Sequence, residues 1–477
     1  MNTHFDNTIR RTLILLFFIF IASCLFSTTK PESESFQKVN PIVKIVPQKN
    51  NRNETIHNLP YDCPKHLQKL CEVYGTIQNR YIRRIPDDEL TTMFVQGITE
   101  QLRSTDSSKM APVISIYQSS FICGIHTQKL CDAYDTIRNR YKNISDKKLT
   151  EMFTQGVINE IRKTDVYTRY IPSKEKSSFF GGYSGVGLIT GKDKTTPSPI
   201  VIRRVIEDSP AYHAGLKRGD KITHVNDISI LNKTEKDSNA LIRGNGGSRV
   251  KLTVVKGCLE KKTDIFLKRA KIHDEDAGKL KIINGQYAYI LLDDFDGNVA
   301  GMIRSAIKQF RKSHGEPKGL IIDLRNNPGG FVVRAVELSE IFLGKGVVLY
   351  EQGQDGRFIP WETHVGSRDI IPDTRIVILV NNDSASASEI VAGSMQDSKR
   401  AVINGTDTYG KGVMQTTLVL KDGSKLYITI AHTFTPNKNA INKVGIHPDA
   451  LVPEGKNESC TGDEQLANAV KILQEKG

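Results

Sequence analysis

The chain has 477 residues, of which 25% are charged and 38% belong to the apolar set, an ordinary globular balance with room for several cores. Its 66 basic and 53 acidic residues leave a formal charge of +13. No Lys/Arg run is dense enough to define a patch, so this charge reads as solvated surface, with only an unspecific attraction to an anionic envelope.

Arg10 and Arg11 precede "LILLFFIFIASCLF" at residues 13–26. A spanning helix needs about 20 apolar residues, whereas a signal-peptide core needs about 7–15, so residues 1–24 read as an export signal. "IASC" resembles the lipobox of bacterial lipoproteins, which makes Cys24 the lipidation candidate; a buried cysteine in a short anchor is the competing reading. Either way the bulk of the chain lies outside the cytoplasm on a membrane tether, and a nucleic-acid role is excluded. Residues 25–60, polar with scattered Pro and Asn, form the tether.

An internal repeat follows. "HLQKLCEVYGTIQNRY" (66–81) returns as "HTQKLCDAYDTIRNRY" (126–141), and "LTTMFVQGITEQLRSTD" (90–106) returns as "LTEMFTQGVINEIRKTD" (149–165). Apolar residues at helical spacing, such as Leu149, Met152, Phe153, Val157 and Ile161, make each copy a helical hairpin. The first copy spans 61–122 and the second 123–180. Besides Cys24 there are six cysteines: Cys63, Cys71, Cys123, Cys131, Cys258 and Cys460. An oxidising compartment permits disulfides, and the lack of suitably spaced histidines argues against zinc. Eight residues of continuous helix span about 12 Å, too far for a disulfide. Pairing within a copy therefore requires the first cysteine to fold back from a loop, which Pro64 favours in copy one; pairing between copies is the alternative.

From residue 181 to 272 the pattern turns to β. "IVIRRVIEDSPAYHAGLKRGDKITHVND" (200–227) alternates strands with a short Ala-Gly helix and a Gly-Asp turn, and it resembles the centre of a PDZ domain. "GVGL" (Gly185, Val186, Gly187, Leu188) stands where such domains bind a chain-terminal carboxylate, because glycine lets successive N–H groups converge on it. A peptide then adds as a strand at the sheet edge. Arg243, after the PDZ helix, is a possible relay to the rest of the chain.

Residues 273–455 read as an α/β core, and "DEQLANAVKILQEK", within the closing segment 456–477, as an amphipathic helix. "NNDSASASEI" (381–390) places Ser384, Ser386 and Ser388 at alternate positions, and Ser386 with Glu389 has capping-box spacing. Downstream, "YGKGVMQ" sets Lys411 between two glycines. Together with "DLRNNPGG" (323–330), these stretches resemble the C-terminal processing peptidases, a serine–lysine family that joins a helical N-terminal segment, an inserted PDZ domain and an α/β core. The resemblance covers roughly 123–477 and leaves out the first repeat.

Carried over residue by residue, it implies Ser386 as nucleophile, Lys411 as base and Gln415 as third member. Ser384 and Ser388 become local hydrogen-bonding residues. A serine needs a base to take its proton, and a lysine serves only when burial lowers its pKa from about 10.4. An uncharged Gln415 orients the amine without favouring its protonation. Oxyanion donors are expected from the N–H of Ala387 and from Gly329, with Gly330 as the fallback. Asp397 is structural support. His432 and His447 could feed a Ser-His-Asp reading, but no G-x-S-x-G or H-E-x-x-H motif accompanies them. No metal or nucleotide cofactor is implied.

The fold expected is therefore multidomain: a duplicated helical module, a mainly β PDZ domain and an α/β protease core. The function expected is a tethered serine endopeptidase that takes proteins with apolar C-termini. A catalytically inactive PDZ scaffold of the envelope is the alternative, and self-association or adaptor binding through the repeats could accompany either.

Overall fold

The computed structural model describes residues 63–105, 127–173, 184–192, 197–256, 261–272, 278–364, 366–454 and 462–475. All belong to one compact unit, residues 59–477. The apolar N-terminal run with Cys24, the tether, and Cys123, Cys258 and Cys460 lie outside the described residues. Among the described residues no helix is long and apolar enough to cross a membrane.

Helices α1 (Gln68–Arg80), α2 (Asp87–Thr105), α3 (Gln128–Arg140) and α4 (Asp146–Arg162) form the N-terminal module. Tyr74 of α1 donates to Asp87 of α2 at 2.7 Å, and Tyr134 of α3 donates to Asp146 of α4 at 2.8 Å. Helices α2 and α4 cross at Gly97 and Gly156. A Cβ on Gly97 would stand 2.2 Å from the Gly156 carbonyl carbon, so the backbones meet directly. Cys63 precedes the first helix and is disulfide-bonded to Cys71, with Cα atoms 6.5 Å apart. For this pair the cysteine ahead of the helix folds back onto it. Cys131 is also disulfide-bonded, and its partner is outside the described residues.

Strand β1 (Arg169–Ile171) carries the chain from the module onto the core. The PDZ sheet consists of β2 (Leu188–Lys192), β3 (Ile200–Val205), β4 (Lys221–Val225), β5 (Arg249–Val255) and β6 (Lys262–Lys268), in that spatial order, with α5 (Glu235–Ile242) beside it. Strand β2 is an edge strand. Alternating burial along β5 shows one face on the PDZ core and one toward solvent, as in an antiparallel sheet covered on one side.

The core sheet begins with β7 (Leu280–Ile283), which pairs antiparallel to β8 (Tyr287–Leu291). Parallel pairing continues through β9 (Gly319–Asp323), β12 (Arg375–Val380), β13 (Ala401–Gly405) and β16 (Ala450–Leu451). All five residues of β9 are buried, as parallel strands covered on both faces require. Helices α6 (Val299–His314), α7 (Val332–Leu343), α8 (Ala387–Asp397) and α9 (Glu464–Gln474) flank it. A second sheet joins β1, β15 (Lys425–Phe434), β10 (Val347–Gln352) and β11 (Phe358–Glu362), with β14 (Val413–Val419) on the free side of β15. The helical module closes over this sheet: Leu420, Leu426 and Ile428 share its core with Tyr74, Phe94 and Phe153. This packing brings residues near 167 next to residues near 415.

Candidate active site

Helix α8 begins directly after the turn that leaves β12, at the carboxyl ends of the parallel strands. The three serines of that turn do different things. Ser384 Oγ donates to Leu324 O at 2.8 Å, and Ser388 Oγ donates to Asn327 O at 3.0 Å. Both tie the serine turn to the segment leaving β9. Ser386 donates its N–H to the Glu389 carboxylate, the half of a capping box that Glu389 supplies, while among the described residues its hydroxyl makes no cap bond and no bond to that segment. Its φ is 58°, a left-handed value that costs a non-glycine residue about 1–3 kcal/mol and tends to mark functional positions.

Glu389 does more than cap. One carboxylate oxygen accepts from Ser386 N at 2.8 Å and Lys411 N at 2.9 Å. The other accepts from Thr408 Oγ1 at 2.6 Å and Gly410 N at 2.6 Å. A single buried carboxylate therefore clamps the serine turn to the lysine loop. Burial pushes its pKa up, while these four donors pull against the rise. The glycines flanking Lys411 allow the loop to lie on the backbone of 441–445: a Cβ on Gly412 would come within 2.1 Å of Asn442 N, and Gly410 has φ 85°.

Lys411 is partly buried, and burial holds its pKa below the ordinary lysine value. The positive charge of Arg169 lowers it further, and Glu389 opposes both. The ammonium nitrogen lies 5.2 Å from the centre of the Tyr167 ring. Among the described residues no hydrogen bond joins Ser386 Oγ to Lys411 Nζ. Gln415, expected to orient the amine, instead donates its amide to Tyr167 O at 2.7 Å.

The two glycines expected near the oxyanion are placed differently. Gly329 packs against the serine turn: with φ 96°, its Cβ would stand 2.8 Å from both Ala387 N and Ser386 Cβ. Its own N–H is given to Asn327 Oδ1 at 2.9 Å, because an Asn two residues back reaches its neighbour's backbone. The N–H of Gly330 has no hydrogen bond among the described residues. Ala387 is the first residue of α8, so its N–H has no intrahelical partner.

Asp397 accepts from Asn437 N at 2.7 Å, a structural contact. His447 pairs with Asp407 at 2.6 Å on the surface, and His432 lies 3.5 Å from the Asn442 amide. Arg243 is the C-cap of α5.

In the PDZ domain, Gly185 ends a two-residue strand and Val186–Gly187 lead into Leu188 of β2. Ala211 N donates to Val186 O and Ile206 N to Gly187 O, each at 2.9 Å. Trans peptide planes then turn the N–H groups of Gly187 and Leu188 the opposite way. Thr190 of the edge strand bonds Asn239 of α5 at 3.0 Å across the groove.

The PDZ domain meets the serine turn through residues that no sequence motif singled out. Glu454 receives Arg218 Nη2 at 3.1 Å, Asn381 Nδ2 at 2.6 Å and Arg203 Nη1. Asn381, which heads the serine turn, also accepts from Asn326 N at 2.9 Å. Arg203 Nε lies 3.8 Å from Asp383, and Arg204 pairs with Asp293 at 2.7 Å.

A PDZ sheet set beside a parallel α/β core, with a strained serine at the strand ends, is the plan of a PDZ-bearing serine peptidase. The chain belongs to peptidase family S41, whose pattern it matches over residues 286–452, with a PDZ domain matched over 201–256. Within that family it is a serine-type peptidase of the C-terminal processing kind. It is 35% identical over 364 residues to the "Probable CtpA-like serine protease" of Staphylococcus haemolyticus, covering 72% of this chain and 71% of that one. The protein of the same name from Staphylococcus epidermidis is 35% identical over 337 residues, 70% of this chain and 66% of that one. In fold it is similar to the photosystem II D1 C-terminal processing protease, with a TM-score of 0.51, 22% identity, and coverage of 87% of this chain and 98% of that one.

Proposed function

We propose that this peptidase is an exported, membrane-tethered endopeptidase in which Ser386 is the nucleophile and Lys411 its base. The observation that carries the reading is the Glu389 clamp, which fixes the backbones of Ser386 and Lys411 on one carboxylate oxygen. Neutral Lys411 takes the Ser386 proton as Oγ attacks the substrate carbonyl. The oxyanion is met by the N–H of Ala387 and that of Gly330. The proton then passes to the leaving amine, giving an acyl-enzyme that water hydrolyses. Substrate binding draws Lys411 and Ser386 into hydrogen-bond contact, since catalytic bonds are often long before substrate arrives.

The PDZ groove between β2 and α5 takes the apolar C-terminus of an unfolded protein, its carboxylate on the N–H groups of the 185–188 loop. Arg203 and Arg218, joined through Glu454 to Asn381, are the path by which occupancy reaches the serine turn. The helical module is a duplicated unit, supported by the matched Tyr–Asp bonds of the two hairpins, and it stiffens the core sheet. The N-terminal run supplies export, and Cys24 is the lipid anchor.

The test compares wild type, Ser386→Ala and Lys411→Ala on an unfolded protein with an apolar C-terminus, intact or trimmed by three residues. Loss of turnover in both variants and slower cleavage of the trimmed substrate are expected. Equal turnover by all three proteins would remove the mechanism.

A further inference from the structure

The turn that leaves the helical module is held more firmly than a connection requires. Asp165 Oδ1 accepts from Tyr167 N at 3.0 Å, and its Oδ2 accepts from Thr168 Oγ1 at 2.7 Å. Thr429 N of β15 donates to Thr168 Oγ1 at 3.2 Å, and Gln415 holds the carbonyl of Tyr167 from the opposite side at 2.7 Å. These bonds hold the Tyr167 backbone, and its ring faces Lys411 Nζ with the centroid at 5.2 Å. Its phenol lies beside that of Tyr409, whose own N–H donates to Ser384 O at 3.0 Å. Tyr167 thus neighbours the lysine directly and the serine turn through Tyr409, although it belongs to neither.

We propose that Tyr167 is a positioning residue for the base: its ring face seats the Lys411 amine, and Gln415 acts on catalysis by pinning the Tyr167 carbonyl. This rests on the assignment of Ser386 and Lys411 as nucleophile and base, and it gives Gln415 a different target from the amine itself. The chemistry suits both protonation states. An aromatic face excludes water from the neutral amine and attracts the ammonium formed once the serine proton has moved. The other groups about Lys411 are Arg169 on β1, stacked at 4.2 Å on the Tyr427 ring, Glu389 on α8, and the phenol of Tyr409. Tyr167 itself stays neutral, since burial pushes its pKa up to about 12.

The experiment measures kcat and KM across pH for Tyr167→Phe, Tyr167→Leu, Gln415→Ala and the Leu/Ala double variant, with melting temperatures to establish folding. Tyr167→Phe keeps the ring and should stay within about twofold of wild type. Tyr167→Leu keeps apolar bulk without the π face. Its kcat should fall about tenfold at unchanged KM, and the acid limb of the profile should move to lower pH as the ammonium loses its partner. Gln415→Ala should lower kcat similarly, and the double variant should be no worse than the poorer single one. Additive losses, or an equal loss in Tyr167→Phe, would overturn the proposal. Lys411→Ala run in parallel separates the two assignments. If it keeps wild-type turnover, the base assignment fails and the proposal with it. If it is inactive while Tyr167→Leu is unaffected, only the role of Tyr167 fails.

Discussion

Replacing Glu389 by glutamine removes a charge at nearly constant shape, and the hydrogen bonds around the carboxylate determine the damage. The carboxylate faces four donors: three backbone N–H groups and one hydroxyl. A glutamine must turn its NH2 toward one of the two donor pairs. If it replaces the oxygen shared by Ser386 N and Lys411 N, both bonds are lost. If it replaces the other, Thr408 can reverse and accept, but Gly410 N is left facing a donor. Bonds to charged groups contribute about 1.5–3 kcal/mol each, so the clamp loses roughly 3–6 kcal/mol in the first orientation and roughly 1.5–3 kcal/mol in the second, which glutamine therefore adopts. At about 1.4 kcal/mol per tenfold in rate, misalignment of Ser386 and Lys411 should lower kcat by about 10- to 10²-fold. The assay is steady-state cleavage of an unfolded protein, with a melting curve on the same sample. One further sign is fixed: Glu389 raises the Lys411 pKa, so residual activity should extend to lower pH. Glu389→Gln with kcat within threefold of wild type, or an acid limb moved upward, would refute the clamp.

Arg169→Gln should shift the acid limb of kcat/KM to higher pH, because it removes the cation that holds the Lys411 pKa down; a pH profile checks this. Glu454→Gln should shrink the difference in turnover between intact and trimmed substrates, measured side by side, because Arg203, Arg218 and Asn381 lose their common acceptor. Gly97→Ala should lower the melting temperature without changing kcat per folded molecule, since its Cβ would meet the Gly156 backbone at 2.2 Å and overpacking costs about 1–3 kcal/mol.

What the sequence made legible was local. The helices at 68–80 and 128–140, the PDZ strands and the three-serine turn all carry periodicity or turn chemistry within a dozen residues. Glu389 was visible as a capping partner, but its hold on Thr408 and Gly410 depends on segments 19 and 21 residues apart meeting in space. Gln415 and Tyr167 are 248 positions apart, and Arg203 and Glu454 are 251. No pattern along the chain announces either pair. Asn327 takes the N–H of Gly329 and not that of Gly330, by a reach to the second residue on that is a local rule the glycine run concealed. The pairing of Cys63 with Cys71 depended on whether the chain ahead of the helix folds back, a tertiary matter that spacing alone left open.

The central claim is that Lys411 is neutral at working pH and activates Ser386. Modification by a fluorophosphonate, with intact mass and peptide mapping of the product, tests it most directly. The expected result is one adduct, on Ser386, forming faster as pH rises through a single ionisation below that of ordinary lysine and nearly abolished in Lys411→Met. An adduct on another serine, or an unchanged rate in Lys411→Met, would contradict it.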